Sequence, residues 1–331
     1  MEIARRPGRW RKRLAVRPFA WHDFWLLYRY RTQVQFFDSA LVLTGGNPVG
    51  MTAMFGHLYP ANSIFTGVLR ARDEGVSVAG QVHYRPGEHS ARLAFVLPER
   101  ALGSAVAVKL IESLAWEAGD RGAFHLLAEV EERSQGVDAL RRAGFSVFGW
   151  QRVWRFPQDR LPDGCDEQCW CPANGRDEIP VRSLYHTLVP PLVQGAEPLN
   201  GRALHGLVYR QGDDVLAYAE GQFGPRGIYL NPVVHPDVAN VNHLMHALLV
   251  SLAPRANRPV YVAVRSYQTW IESALHDLGG EPGPRQALMI KHMVQAQRAA
   301  VPAVTRQAVI ENRQPVMAGH KAESYTLVSE E

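Results

Sequence analysis

Cysteine is scarce in this chain. Cys165, Cys169 and Cys171 are the only three, too few for a disulfide framework. No stretch approaches the roughly 20 consecutive apolar residues that a membrane helix needs, which excludes a spanning protein. Nothing resembles a signal peptide, so a reducing, cytoplasmic setting is expected. What folding requires is present. Of 331 residues 46% are hydrophobic and 21% charged, which excludes disorder over the whole length. The length suits two ordinary domains or one large one.

The net charge is +4, which on its own points to an anionic partner. Its distribution changes that reading. Residues 1–14 hold Arg5, Arg6, Arg9, Arg11, Lys12 and Arg13 against Glu2, a net of +5, leaving 30 basic and 31 acidic residues for the rest. The basicity belongs to a tail over residues 1–13. With Trp10 as its one aromatic, the tail reads as a disordered solubilising arm. Nucleic acid is expected as a partner only through this arm, and no membrane is expected. Residues 158–167, with two prolines just inside or beside them, read as a linker, and residues 298–331 as a second tail.

Between these segments lie two blocks of one pattern. The first, over 14–157, has three β-rich runs at Ile64–Arg70, Ser77–Arg85 and Ser90–Leu97. A helix follows, with Ala105, Val108, Ile111, Leu114 and Ala115 on one stripe, then a strand at Ala123–Val130, a short helix and a strand at Ser146–Arg155. The second, over 168–297, has runs at Ala203–Tyr209, Asp214–Gly221 and Gly227–Val234. A helix at Val241–Leu252, a strand at Pro259–Arg265, a helix at Thr269–Leu278 and a strand at Gln286–Met293 complete it. An offset of 138 aligns Pro98-Glu99 with Pro236-Asp237, and Leu110, Ile111 and Leu114 with Leu248, Leu249 and Leu252. The expected fold is α/β: two tandem domains side by side, each a mixed, mostly antiparallel sheet flanked by helices.

The first block carries a candidate anion site. A strand ends at Phe95-Val96-Leu97, and the loop Pro98-Glu99-Arg100-Ala101-Leu102-Gly103-Ser104-Ala105 opens the long helix. Unpartnered N–H groups and the helix dipole attract negative charge there, small residues allow close approach, and Arg100 adds a formal charge.

Here the chain resembles the GCN5-related N-acetyltransferases, in a tandem arrangement with a degenerate second copy. Arg100-x-x-Gly103-x-Ala105 meets the family's Arg/Gln-x-x-Gly-x-Gly/Ala signature. Glu129-Val130, Ser134 and Leu140-x-x-x-Gly144-Phe145 follow at the family's spacing, with Ser134 for the usual Asn and Leu140 for the usual thiolate-protonating Tyr. The resemblance implies acetyl-CoA or another acyl-CoA as cofactor. Its pantetheine arm would run along Phe95, Val96 and Leu97, and its pyrophosphate would meet the amides of Leu102, Gly103, Ser104 and Ala105, beside Arg100 and Ala101. Ser134 is either a further contact or a helix N-cap. The implied activity is direct acyl transfer to a small-molecule or peptide amine near the first helix and the groove between the domains. Glu129 is the candidate base and Tyr28 a secondary candidate. The alternative is a catalytically inactive module for CoA sensing or protein interaction. In the second block Val238, Val241 and His243 replace the arginine, the first glycine and the small residue, and Ala263 stands at the Glu129 position.

Other constellations read as structure. Cys169 and Cys171 share a strand face and are expected to be buried thiols. His243 and His246 lie on a solvated or half-buried helix face, with no metal site expected. Trp21, Phe24, Trp25 and Tyr28 have helical spacing and read as a core-facing stripe.

Overall fold

The computed structural model describes residues 16–49, 64–71, 76–84, 89–160, 170–199, 204–212, 214–252 and 258–293. Both tails and most of the linker lie outside the described residues.

The strands are β1 (Arg17–Pro18), β2 (Gln35–Phe36), β3 (Ile64–Ala71), β4 (Val76–Tyr84), β5 (Ser90–Leu97), β6 (His125–Glu131), β7 (Ser146–Phe156), β8 (Cys171–Pro172), β9 (Gly206–Gln211), β10 (Asp214–Phe223), β11 (Ile228–Val234), β12 (Val260–Arg265) and β13 (Glu281–His292). The helices are α1 (Phe24–Tyr30), α2 (Ser39–Gly45), α3 (Ala105–Asp120), α4 (Gln135–Arg142), α5 (Glu178–Leu188), α6 (Pro191–Ala196), α7 (Val241–Leu252) and α8 (Glu272–Asp277). Both meanders fall where the sequence puts them. β2, α2 and α6 are too short to leave a periodic signal. The helix expected at Thr269–Leu278 divides into a 3-10 segment, Ser266–Ile271, and α8.

All strands join one sheet in the order β1-β3-β4-β5-β6-β13-β7-β12-β11-β10-β9-β8, with β2 paired to β5 off this path. The order is a palindrome of two repeats. Each contributes a short edge strand, a three-stranded meander, a parallel step (β5 with β6, β11 with β12) and a last strand. The last strands are exchanged. β13 of the second repeat pairs with β6 of the first, while β7 of the first pairs with β12 of the second. β7 and β13 pair with each other at the centre. The expected side-by-side sheets are therefore continuous, and the exchange leaves no open edge where the repeats meet.

The same devices recur in both. Asp23 precedes α1, is fully buried, accepts from the Ala20 N–H (3.0 Å) and pairs with Arg17 and with Arg70 on β3. Asp177 precedes α5, is buried, accepts from the Asn174 N–H (2.8 Å) and pairs with Arg210 on β9. Ser104 caps α3, whose buried stripe includes Val106, Leu110, Ile111 and Leu114. α7 packs Leu244, Leu248, Leu249 and Leu252 in the same way. Among the described residues no helix is long and apolar enough to cross a membrane.

Candidate functional site

β5 and β6 pair in parallel only from Ser90 to Arg92 and from His125 to Leu127, then diverge. β11 and β12 do the same beyond Leu230 and Val262. Two V-shaped gaps result, with a cavity of about 620 Å³ against the sheet between the repeats. Arg92 and Glu129 come to it from the first repeat; Tyr185, Glu197, Tyr229 and Arg265 come from the second.

Arg92, Glu129, Tyr185, Glu197 and Arg265 form one network across the repeat boundary, with Glu129 and Arg265 buried and Arg92 and Glu197 half-buried. Glu197 accepts from Arg92 Nη2 (3.0 Å) and Arg265 Nη2 (2.8 Å). Glu129 accepts from Arg92 Nη1 (3.2 Å), the Ser39 N–H (3.2 Å) and Gln151 Nε2 (3.1 Å). The Tyr185 hydroxyl donates to the Glu197 carbonyl (2.6 Å). Burial, reinforced by the Asp38 carboxylate, raises the Glu129 pKa despite the opposing Arg92 and Arg265. Burial pulls Arg265 down, yet Glu197 and its neighbours carry the net shift upward. The Tyr229 phenol is driven well above its ordinary value by burial and then by Glu129. A cavity of this size and mixed polarity suits a small polar molecule.

The edge of β5 that the resemblance assigns to the pantetheine arm is taken by the chain itself. Gln35 and Phe36 pair with Val96 and Phe95. The Phe37 N–H donates to Ala94 O (2.9 Å), Phe37 O accepts from the Glu129 N–H (2.8 Å), and the Glu99 N–H donates to Gln33 O (2.8 Å). Residues 33–37 thus run from the anion loop to the apex of the gap. The Phe37 ring is 1% exposed and belongs to the core between β6, α3 and α4. Gly136 at the start of α4 makes room for it, since a Cβ there would lie 3.1 Å from the ring. The segment continues into α2, which docks on the second repeat. The Arg226 N–H donates to Thr44 O (2.9 Å), and Gly224 lies so close to Thr44 that a Cβ would clash with its backbone.

The anion loop is also partly committed. The N–H groups of Leu102 and Ser104 donate to Glu99 O (3.0 Å) and Ala101 O (2.9 Å). The Ser104 hydroxyl caps α3 through the Ala107 N–H (3.3 Å). Arg100 turns away, donating to the Tyr30 hydroxyl (3.2 Å) with its guanidinium 5.4 Å from that ring. Arg142 donates to Gly103 O (2.7 Å). A second cavity, of about 500 Å³, lies beside Leu102, Gly103 and α4. The residues present do not fit acetyl-CoA as the resemblance places it. The strand edge is paired, the channel holds Phe37, and two of the four expected amides are spent.

The sequence-predicted residues are therefore dispersed. Glu129 lines the cavity between the repeats. Phe95, Val96 and Leu97 are fully buried, with the arm's place beside them filled. Ala101 and Leu102 are buried, and nothing approaches the Gly103 Cα within reach of a Cβ. Ala105 begins α3. Ser134 is the N-cap of α4, accepting from the Gly136 N–H (2.9 Å). Tyr28 lies outside the cavity and is 41% exposed. In the second repeat Val238 and Val241 pack against the core where the first has its small-residue loop. Cys171 is exposed, not buried, because β8 is a two-residue edge strand. Sequence reasoning missed Arg92, Glu197, Arg265 and Phe37. The cue was present for two of these: Arg92 and Arg265 are charges inside otherwise apolar strands.

No protein-family model matches the chain, and no curated protein matches it. Solved structures do. The GCN5-related N-acetyltransferase from Sphaerobacter thermophilus aligns over 85% of this chain and 96% of its own, at 15% identity and a TM-score of 0.54. A tandem GNAT protein from the clavulanic acid biosynthesis pathway aligns over 84% of this chain and 98% of its own, at 15% identity and a TM-score of 0.47. The first of these establishes the fold. The chain is built on the GCN5-related N-acetyltransferase architecture, and its palindromic sheet makes the arrangement tandem.

Proposed function

We propose that this chain is a small-molecule-binding protein built on the acetyltransferase fold. Its ligand enters the cavity between the two repeats, and the acyl-CoA channel of the first repeat is given over to residues 33–37. The single observation that carries this reading is the pairing of Gln35, Phe36 and Phe37 along β5. A strand edge satisfied by main chain offers no hydrogen bonds to a pantetheine amide. The cavity has arginine, carboxylate and phenol groups in one network, which favours a polar ligand with both donors and acceptors.

A second reading is an acyl-CoA-dependent N-acyltransferase that acts on an amine. The specific observation in its favour is Glu129, whose pKa is raised and which lines the cavity where an acceptor would sit. That reading requires residues 33–37 to leave β5.

Thermal melting separates the two. Acetyl-CoA is expected to leave the melting temperature of the wild-type chain unchanged, and an amine panel is expected to release no free thiol. In a panel of small polar metabolites, a compound that raises the melting temperature of wild type but not of Arg265→Met would support the cavity as the working site. A shift with acetyl-CoA that Gly103→Glu abolishes, together with thiol release lost in Glu129→Gln, would establish the transferase instead.

A further inference from the structure

Several polar groups around the cavity between the repeats are not used by the fold. Arg265 is 4% exposed and borders the cavity. Its Nη2 donates to Glu197 (2.8 Å), but its Nε and Nη1 groups are buried without a hydrogen-bond partner. Asn231 Oδ1 is buried and unpartnered too. Tyr229 and Tyr267 border the same cavity, and neither hydroxyl has a partner among the described residues. Buried donors and acceptors are ordinarily satisfied, and those of a charged group are the most costly to leave unmade.

These groups are sorted by position. Burial raises the pKa of both phenols; the Glu129 charge adds to the rise at Tyr229, and the Arg265 charge opposes it at both, so the three groups lie together as a donor pole. Side chains alternate along β11, so Tyr229, Asn231 and Val233 share the face that lines the cavity. Asn231 is the cross-strand partner of Glu220 on β10, whose side chain also borders the cavity. An amide oxygen and a carboxylate thus form an acceptor pole beside the donor pole.

Charge narrows the choice of ligand. Arg92 and Arg265 face Glu129, Glu197 and Glu220 around the cavity, so the lining has no excess positive charge to hold a phosphate dianion. A simple amine would leave the Arg265 donors unmet. A sugar hydroxyl would meet them weakly, because a buried guanidinium bonds most strongly to an ionised acceptor. A molecule with one carboxylate and one ammonium satisfies both poles and adds no net charge.

We infer that the cavity is a binding site for a free amino acid, with its carboxylate at Arg265, Tyr229 and Tyr267 and its ammonium at Asn231 and Glu220. The inference rests on the small-molecule reading above and adds the class of the ligand. The volume of about 620 Å³ leaves room for a side chain beyond the two charged groups.

The test is isothermal titration calorimetry of the full chain with the standard L-amino acids, followed, for each that binds, by its amide and its N-acetyl derivative. At least one amino acid is expected to bind. The amide lacks the anionic carboxylate and the N-acetyl form lacks the ammonium, and each should bind about ten-fold more weakly or worse. Tyr229→Phe removes one hydroxyl and no packing volume. It should melt as wild type does, yet lose affinity for the amino acid several-fold and for the amide hardly at all. An amide that binds as tightly as its parent acid overturns the inference, and unaltered amino-acid affinity in Tyr229→Phe overturns the placement of the carboxylate. Absence of any amino-acid binding also overturns it. In that case a polar metabolite that raises the melting temperature of wild type but not of Arg265→Met keeps the small-molecule reading and discards only the amino acid, whereas no such compound discards both.

Discussion

The two repeats solve one problem in different ways. In both, a pair of parallel strands diverges and exposes the edge of the strand before the long helix. In the first repeat a main-chain segment fills the gap, with the Phe37 N–H on Ala94 O and Gln35 paired to Val96. In the second a single side chain does so. Gln268 Oε1 accepts from the Val234 N–H (2.8 Å) and its Nε2 donates to Pro232 O (3.0 Å). The offset of 138 that aligns the repeats carries Ala94 and Val96 onto Pro232 and Val234. The same two positions therefore need partners in both copies, and each copy supplies its own. A buried edge must be satisfied whether or not a ligand is present. The pantetheine arm that the resemblance implies would need this edge open, and neither repeat leaves it so.

The largest expected effect comes from removing the ring that anchors the first of these closures. Phe37→Ala removes a buried ring from the core of the first repeat and is expected to cost about 3–5 kcal/mol, read from the midpoint of urea unfolding. A loss below about 1 kcal/mol would mean that the ring has no structural role there. The second closure is smaller. Gln268→Leu leaves a buried N–H and a buried carbonyl without their partner and is expected to cost about 1–3 kcal/mol. Should Gln268→Leu prove the more damaging of the two, the order of importance assigned to the repeats is reversed.

The smallest expected effect lies at the seam. His125 on β6 and His292 on β13 are cross-strand partners with their Nδ1 atoms 3.1 Å apart. Burial, then the neighbouring His292, lowers the His125 pKa from 6.5. The folded chain therefore favours the neutral ring. This contribution is present above about pH 6.5 and is lost as the pH falls through the lower folded value. Melting temperature should decline on acidification through that window, and His292→Gln should make the decline shallower. An unchanged profile would remove the pair from the acid response.

Much of the fold was legible in the sequence because it rests on periodicity. The meanders, the α3 stripe and the 138-residue offset all come from apolar residues at regular spacing, and each has its counterpart in the sheet and helices. The exchange of last strands was not legible. β7 and β13 would have the same alternation whichever repeat received them, and only three-dimensional packing decides. The site was legible in part. Glu129 was singled out from its place before Val130, and it lies in the cavity. The filling of the channel was hidden because β2 is two residues long and pairs through its main chain, which any side chain permits. The orientation of α1 was misread for a related reason. Seven residues give too few turns to tell a core stripe from a surface one, and Leu27 rather than the tryptophans meets the core.

The exchanged strands also bear on how the chain is made. Among the described residues β13 is the last strand in order of synthesis, yet it stands between β6 and β7, which are complete more than a hundred residues earlier. A nascent chain that has emerged only as far as residue 160 holds the first repeat's helices and meander but lacks the strand that separates its own final two. Cleavage between residues 160 and 170 would yield two fragments, each carrying a strand that belongs in the other, and each would be whole only in the other's company.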